Sequence, residues 1–178
     1  MTPRIRKLVR LAGWLGCSCW LAASAAPPAP APCSAAESRQ FDFWVGDWDV
    51  YLPNGKLAGT NRIERIYGCV LHESWKNEKV QGQSFNAFDA DRGVWHQTWV
   101  DSMGSILLIE GAFRNGAMSM SDAALPAKKD PKVVNEITWT PQADGSVRQH
   151  WRVSPDGGKT WNTSFDGKYV RSSRPQPS

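Results

Sequence analysis

From Asp47 onward, apolar and polar residues alternate with a period of two, in short runs rich in β-branched and aromatic side chains. That period belongs to strands, in which successive side chains take opposite faces of a sheet. One face collects Trp48, Val50 and Leu52, then Leu71, Glu73 and Trp75, then Trp95, Gln97, Trp99 and Asp101. Leu107, Ile109 and Phe113 follow, then Val133, Asn135, Ile137 and Trp139, and last Val147, Gln149, Trp151 and Val153. Turn signals separate the runs at Pro53-Asn54-Gly55, 89–93, Ser102-Met103-Gly104, Asn115-Gly116, Ala143-Asp144-Gly145, 155–158 and Asp166-Gly167. The spacing predicts about nine or ten antiparallel strands, which must hide their edges by closing or by packing as a sandwich. Ahead of them, Ala35 to Trp44 has room for one or two short helical turns, and no helical period of any length appears after Trp44.

Several inward sets carry one polar residue among aromatics: Glu73, Gln97 with Asp101, Asn135 and Gln149, with Asn86 on the Ser84-Asn86-Phe88 face as a weaker addition. An unpaired buried amide or carboxylate costs on the order of a few kcal/mol, so each requires a protein partner, a water or a ligand. A one-residue bulge would turn Gln97 and Asp101 outward.

The start of the chain changes the charge picture. Arg4, Arg6, Lys7 and Arg10 precede an apolar stretch from Leu11 to Ala23 and the small residues Ala23-Ser24-Ala25, the pattern of a secretory signal peptide over 1–25. A lipoprotein reading would need cleavage before Cys17, and Trp14-Leu15-Gly16 lacks the usual aliphatic start. Without the four leader charges, 17 of the 21 Lys+Arg remain against 17 Asp+Glu. A near-neutral mature chain gives no reason to expect nucleic acid as a partner, or membrane insertion. Periplasmic or secreted export is the expected address, with a Pro/Ala-rich linker at 26–34, one domain at 35–171 and a disordered tail at 172–178. Cys17 and Cys19 leave with the leader; Cys33 and Cys69 enter an oxidising compartment and are expected to pair.

The opening of the domain, Phe41-Asp42-Phe43-Trp44-Val45-Gly46-Asp47-Trp48-Asp49-Val50-Tyr51, resembles the G-x-W opening of lipocalins and the wider calycin group. That resemblance implies a closed, up-and-down β-barrel plugged at its floor by a short helical turn, with Trp48 packed under an arginine, here Arg152 or Arg171. Over nearly the whole mature chain, this opening with Gly68 to Trp75, Trp95 to Ser102 and the 154–161 hairpin is similar to a group of exported bacterial proteins of unknown function with a lipocalin-like domain. The fold expectation is therefore an all-β, closed antiparallel barrel.

Ser154-Pro155-Asp156-Gly157-Gly158-Lys159-Thr160-Trp161 fits the Asp-box of sialidases in a single copy, and its mechanics are those of a hairpin turn. His72, His96 and His150 fall on the outward face and lack metal-ligand spacing. Asp49-Val50-Tyr51 stands where a haem-binding nitrobindin would carry a further G-x-G. No metal or cofactor is expected. The leading functional expectation is an exported barrel that binds a small, partly apolar molecule, with Trp75, Trp99 and Trp151 as walls and Glu73, Asn86, Gln97, Asp101 and Gln149 fixing its polar groups. The alternatives are an enzyme acting on a carbohydrate or polar metabolite through Glu73 and Asp101, and a structural or partner-binding envelope protein with a packed interior. In the bland reading of the two acids, one pairs with Arg62 or Arg65 and the other caps the 102–104 turn.

Overall fold

In the computed structural model, residues 31, 33–125 and 130–173 are described. The leader at 1–25, most of the 26–34 linker and the end of the 172–178 tail lie outside the described residues. Two 3₁₀ turns, Ala36–Arg39 and Asp42–Trp44, precede ten strands. These are β1 (Gly46–Tyr51), β2 (Leu57–Ile66), β3 (Val70–Lys76), β4 (Gln81–Asp89) and β5 (Val94–Asp101), then β6 (Ile106–Arg114), β7 (Ala117–Ser121), β8 (Val134–Pro141), β9 (Val147–Ser154) and β10 (Asn162–Arg171). Each strand pairs antiparallel with its sequence neighbours, and β10 returns to β1, so the sheet closes into an up-and-down barrel without free edges.

The inward parity expected from the alternation holds along β3, β5 and β9. β5 keeps an unbroken register with both neighbours, which leaves Gln97 and Asp101 on the concave side. Register shifts occur elsewhere, between Val50 and Tyr51 and between Thr163 and Phe165. One inward residue is corrected: β8 begins at Val134, which is buried, whereas the Val133 N–H closes a turn on the Asp130 carbonyl.

The aromatic run at 41–48 closes one end. Phe41 stacks on Trp44 and meets Trp95 and Trp139 edge-on; all four are fully buried with Trp48. The Trp48 indole N–H donates to the Trp44 carbonyl at 2.8 Å. Of the two candidate cations it is Arg171, not Arg152, that lies over Trp48, at 3.8 Å from the ring centre, while donating to the Val45 carbonyl at 2.6 Å. Arg152 instead covers Trp161. Gly46 explains its place in the motif: its φ is +139°, and a Cβ there would stand 1.8 Å from the Arg171 guanidinium. A Cys33–Cys69 disulfide ties the segment entering this plug to the turn between β2 and β3.

Candidate ligand-binding site

Above the plug the interior is not filled. A cavity of about 520 Å³ is lined by Glu73, Trp75, Gln97, Trp99, Asp101, Gln149 and Trp151, all named from the alternation, together with Asn135, Ile137, Leu107, Phe165 and Tyr169. Glu73 stands opposite Ser84 and Ser84 opposite Trp99, while Trp75 pairs with Gly82 and Gly82 with Asp101. The indoles of Trp75, Trp99 and Trp151 form an upper tier with Phe165, Asp101 and Asn135, and Gln97, Glu73, Gln149 and the Tyr169 hydroxyl form a lower one.

The upper tier is held against the wall. A Cβ on Gly82 would lie 2.2 Å from the Trp99 ring, and one on Gly59 would lie 2.7 Å from the Trp75 ring. Each indole therefore lies across a neighbouring strand's glycine, where any side chain would drive it toward the barrel axis. Two indole N–H groups are also pinned. Trp99 donates to Asp101 Oδ2 at 3.2 Å, and Trp151 donates to Asn135 Oδ1 at 3.0 Å. Asn135 is clamped in turn by Asp122, which accepts its backbone N–H and its amide at 2.8 Å each.

The lower tier is a continuous hydrogen-bonded belt. Gln97 Nε2 donates to Asn86 Oδ1 at 2.6 Å, Asn86 Nδ2 to Ser84 Oγ at 2.8 Å, and Ser84 Oγ to Glu73 Oε2 at 2.6 Å. From the other side Asn61 Nδ2 donates to Glu73 Oε1 at 2.6 Å and to the Tyr169 hydroxyl at 3.3 Å. The Tyr169 hydroxyl donates in turn to Gln149 Oε1. Burial pushes the Glu73 carboxyl above its ordinary value, against the hydrogen bonds from Ser84 and Asn61 and the charge of His72. Burial, reinforced by the Glu73 charge, pushes the Tyr169 phenol well above its own.

Two sequence-derived roles change. Asn86 does not line the cavity: it is fully buried, spends its amide on Ser84 and on the Leu71 carbonyl, and supports Gln97 from behind. Glu73 pairs with neither arginine: Arg62 is turned to the outer face of β2, toward Asp47 and Glu64, and Arg65, on the inward parity at the plug end of the strand, is taken by Asp42 of the second 3₁₀ turn. Asp101 does cap its turn, accepting Met103 N–H at 2.9 Å and Ser105 N–H at 3.0 Å on Oδ1. The Ser105 amide, first among these contacts, holds the Asp101 carboxyl below its ordinary value.

Asn61, Phe165 and Tyr169 are contributors that alternation did not find. Asn61 shares its face with Gly59 and Ile63, a sparse apolar signal, and Tyr169 is followed by Val170, so either parity of β10 places an apolar group inside. The histidines stand on the outer face: His72 stacks on exposed Phe85, His96 meets Glu110 and Thr98, and His150 meets Thr163. Among the described residues, no group of three or more His, Cys, Asp or Glu could hold a metal ion, and no helix is long and apolar enough to cross a membrane. No protein-family model matches the chain, and no curated protein matches it.

Proposed function

We propose that the chain is an exported, lipocalin-like barrel that binds one small, partly apolar molecule in the cavity above the plug. The observation that carries this reading is an unfilled interior of about 520 Å³ whose indole walls are pinned over a fully connected polar belt. A core evolved for stability alone fills such space, since an empty cavity forfeits dispersion contacts and transfer free energy. The volume falls within the roughly 300–1,000 Å³ of small-molecule sites, and the lining has their mixture of apolar wall and few polar groups. Export rests on the leader-like 1–25 segment and is supported by the Cys33–Cys69 disulfide.

The carboxylate-pair reading gains less from the geometry. Asp101 and Glu73 are offset by two residues along the strands, ~7 Å, and by two strands, ~10 Å, and both Asp101 oxygens already accept hydrogen bonds. The envelope-protein reading required a packed interior, which the cavity argues against. Its other requirement, an apolar outer strip, is met by Phe85, Val100, Ile106 and Leu108 on neighbouring strands.

A metabolite library screened by tryptophan fluorescence tests the binding reading, because a ligand between Trp75, Trp99 and Trp151 must perturb their emission. The same ligand should lose roughly ten-fold or more in affinity in Gly82→Ala, where the new methyl pushes Trp99 into the cavity. A library that leaves the emission unchanged, or a hit indifferent to Gly82→Ala, counts against the site.

A further inference from the structure

The sense of the belt's hydrogen bonds limits what the cavity can take. On the binding reading above, most of the belt's donors are already committed to protein acceptors. Both amide hydrogens of Asn86, the Ser84 hydroxyl, both amide hydrogens of Asn61 and the Tyr169 hydroxyl are spent on protein acceptors. Ser84 from one side and Asn61 from the other end on Glu73, whose carboxylate has about four lone-pair sites and receives one bond on each oxygen. Asn61 Oδ1 is buried with no hydrogen-bond partner. Acceptor capacity is therefore in surplus at Glu73 itself, while the belt's free donors, the second Gln97 amide hydrogen and the Gln149 amide, lie at its two ends.

Charge points the same way. Among the described residues that line the cavity, the charged ones are Glu73 and Asp101, and no lysine or arginine joins them. Both oxygens of Asp101 are already taken by its turn amides and an indole, and Glu73, 5 % exposed, has only neutral donors. A buried carboxylate without a cationic partner is a site for a cation. Trp75 lies two residues beyond Glu73 on the same face, and Trp99 faces it across Ser84, so a cation at Glu73 would also sit beneath indole rings.

We propose that the molecule bound here is an organic amine or amidine: its protonated nitrogen is received by Glu73 at the floor, and an aromatic or alicyclic body fills the space between Trp75, Trp99 and Trp151. Carboxylates and phosphates of the same shape are disfavoured, because they would bring negative charge and further acceptors to Glu73.

Three probes of similar size, phenethylamine, 2-phenylethanol and 3-phenylpropionate, titrated calorimetrically into the wild-type protein at pH 7.5, decide the matter. Phenethylamine should bind roughly ten-fold or more tighter than the alcohol, as expected for one charge-assisted hydrogen bond, and the carboxylate weakest. In Glu73→Gln, which keeps the side chain's shape, the amine should fall to within about three-fold of the alcohol. The wild-type ranking decides the proposal even if that variant fails to fold. An alcohol or carboxylate that matches the amine overturns the proposal and leaves the binding site standing. No heat from any probe, combined with a silent fluorescence screen, removes both.

Discussion

The Glu73 carboxyl is held in place by two neutral donors and by little else, and its burial has a consequence for stability that can be separated from binding. Its folded-state pKa lies above the unfolded value because burial disfavours the charge. As pH rises through the unfolded value, the unfolded chain releases this proton while the folded protein keeps it, so the folded state loses ground until the raised pKa is passed, and the deficit is constant above that. The ionisable groups that feel this charge are His72, on the outer face of the same strand, and Tyr169 across the cavity. Glu73→Gln has no proton to lose. Its melting temperature should match the wild type near pH 4 and stand above it at pH 8, measured by thermal unfolding of the two proteins side by side; a variant that falls further behind as pH rises contradicts this. A position where the natural residue destabilises the fold at neutral pH is one retained for something other than packing. Glu73 was legible from the chain because a lone acid stood between Leu71 and Trp75 at strand spacing. Asn86 was misjudged for a physical reason: parity says which side of the sheet a side chain takes, and nothing about how far above the floor it sits.

Among the elements, the β9–β10 hairpin shows how much of the barrel is specified by side-chain-to-backbone bonds at its turns. Asp156 accepts the Lys159 and Thr160 amides on Oδ1 at 3.0 and 2.8 Å, the Thr160 hydroxyl on Oδ2 at 2.7 Å, and the Ser154 hydroxyl at 2.8 Å. Trp161 closes the corner by donating to the Gly158 carbonyl at 3.1 Å, under the Arg152 guanidinium. The Thr160 contacts, backbone first, hold the Asp156 carboxyl at about 2. A depressed carboxyl supplies its stabilisation above the unfolded value and loses it as pH falls toward the folded one. Amide exchange at Lys159 and Thr160 should therefore accelerate between about pH 4 and pH 2 relative to neighbouring β9 amides. In Asp156→Ala the two amides should exchange fast at every pH; protection that survives the substitution would assign the turn's order to its glycines instead. The strands themselves were readable because β3, β5 and β9 keep strict alternation. Bulges at Val50/Tyr51 and Thr163/Phe165 break it in β1 and β10, and that is where sequence parity failed to find Tyr169. The tiers were not readable either, since a strand does not encode which glycine on its neighbour an indole will lie across.

At the scale of the whole molecule, the barrel has one end stoppered by rings and an interior above it that is open, and the two parts are held by different forces. The stopper precedes the first strand: its turns at Ala36–Arg39 and Asp42–Trp44 reach the barrel through apolar contact, the Arg171 bridge to Val45 and the Cys33–Cys69 bond. The cavity is held by cross-strand hydrogen bonds running from Gln97 on β5 to Gln149 on β9, and none of these residues touches the disulfide. Cys33 and Cys69 are 36 residues apart, a loop whose closure in the unfolded chain is worth about 4 kcal/mol in the chain-entropy model. Reduction should lower the free energy of unfolding in urea by up to about that amount, mainly through a lower midpoint. Exchange protection should be lost first at the Trp44 and Val45 amides, whose bonds close the second turn on Phe41 and Asp42. Short of global unfolding, the reduced protein should keep its ligand affinity, because the walls and the belt belong to strands that remain paired. A reduced protein that stays folded but loses its ligand would mean that the stopper, and not the strand register alone, sets the depth at which Glu73 is presented.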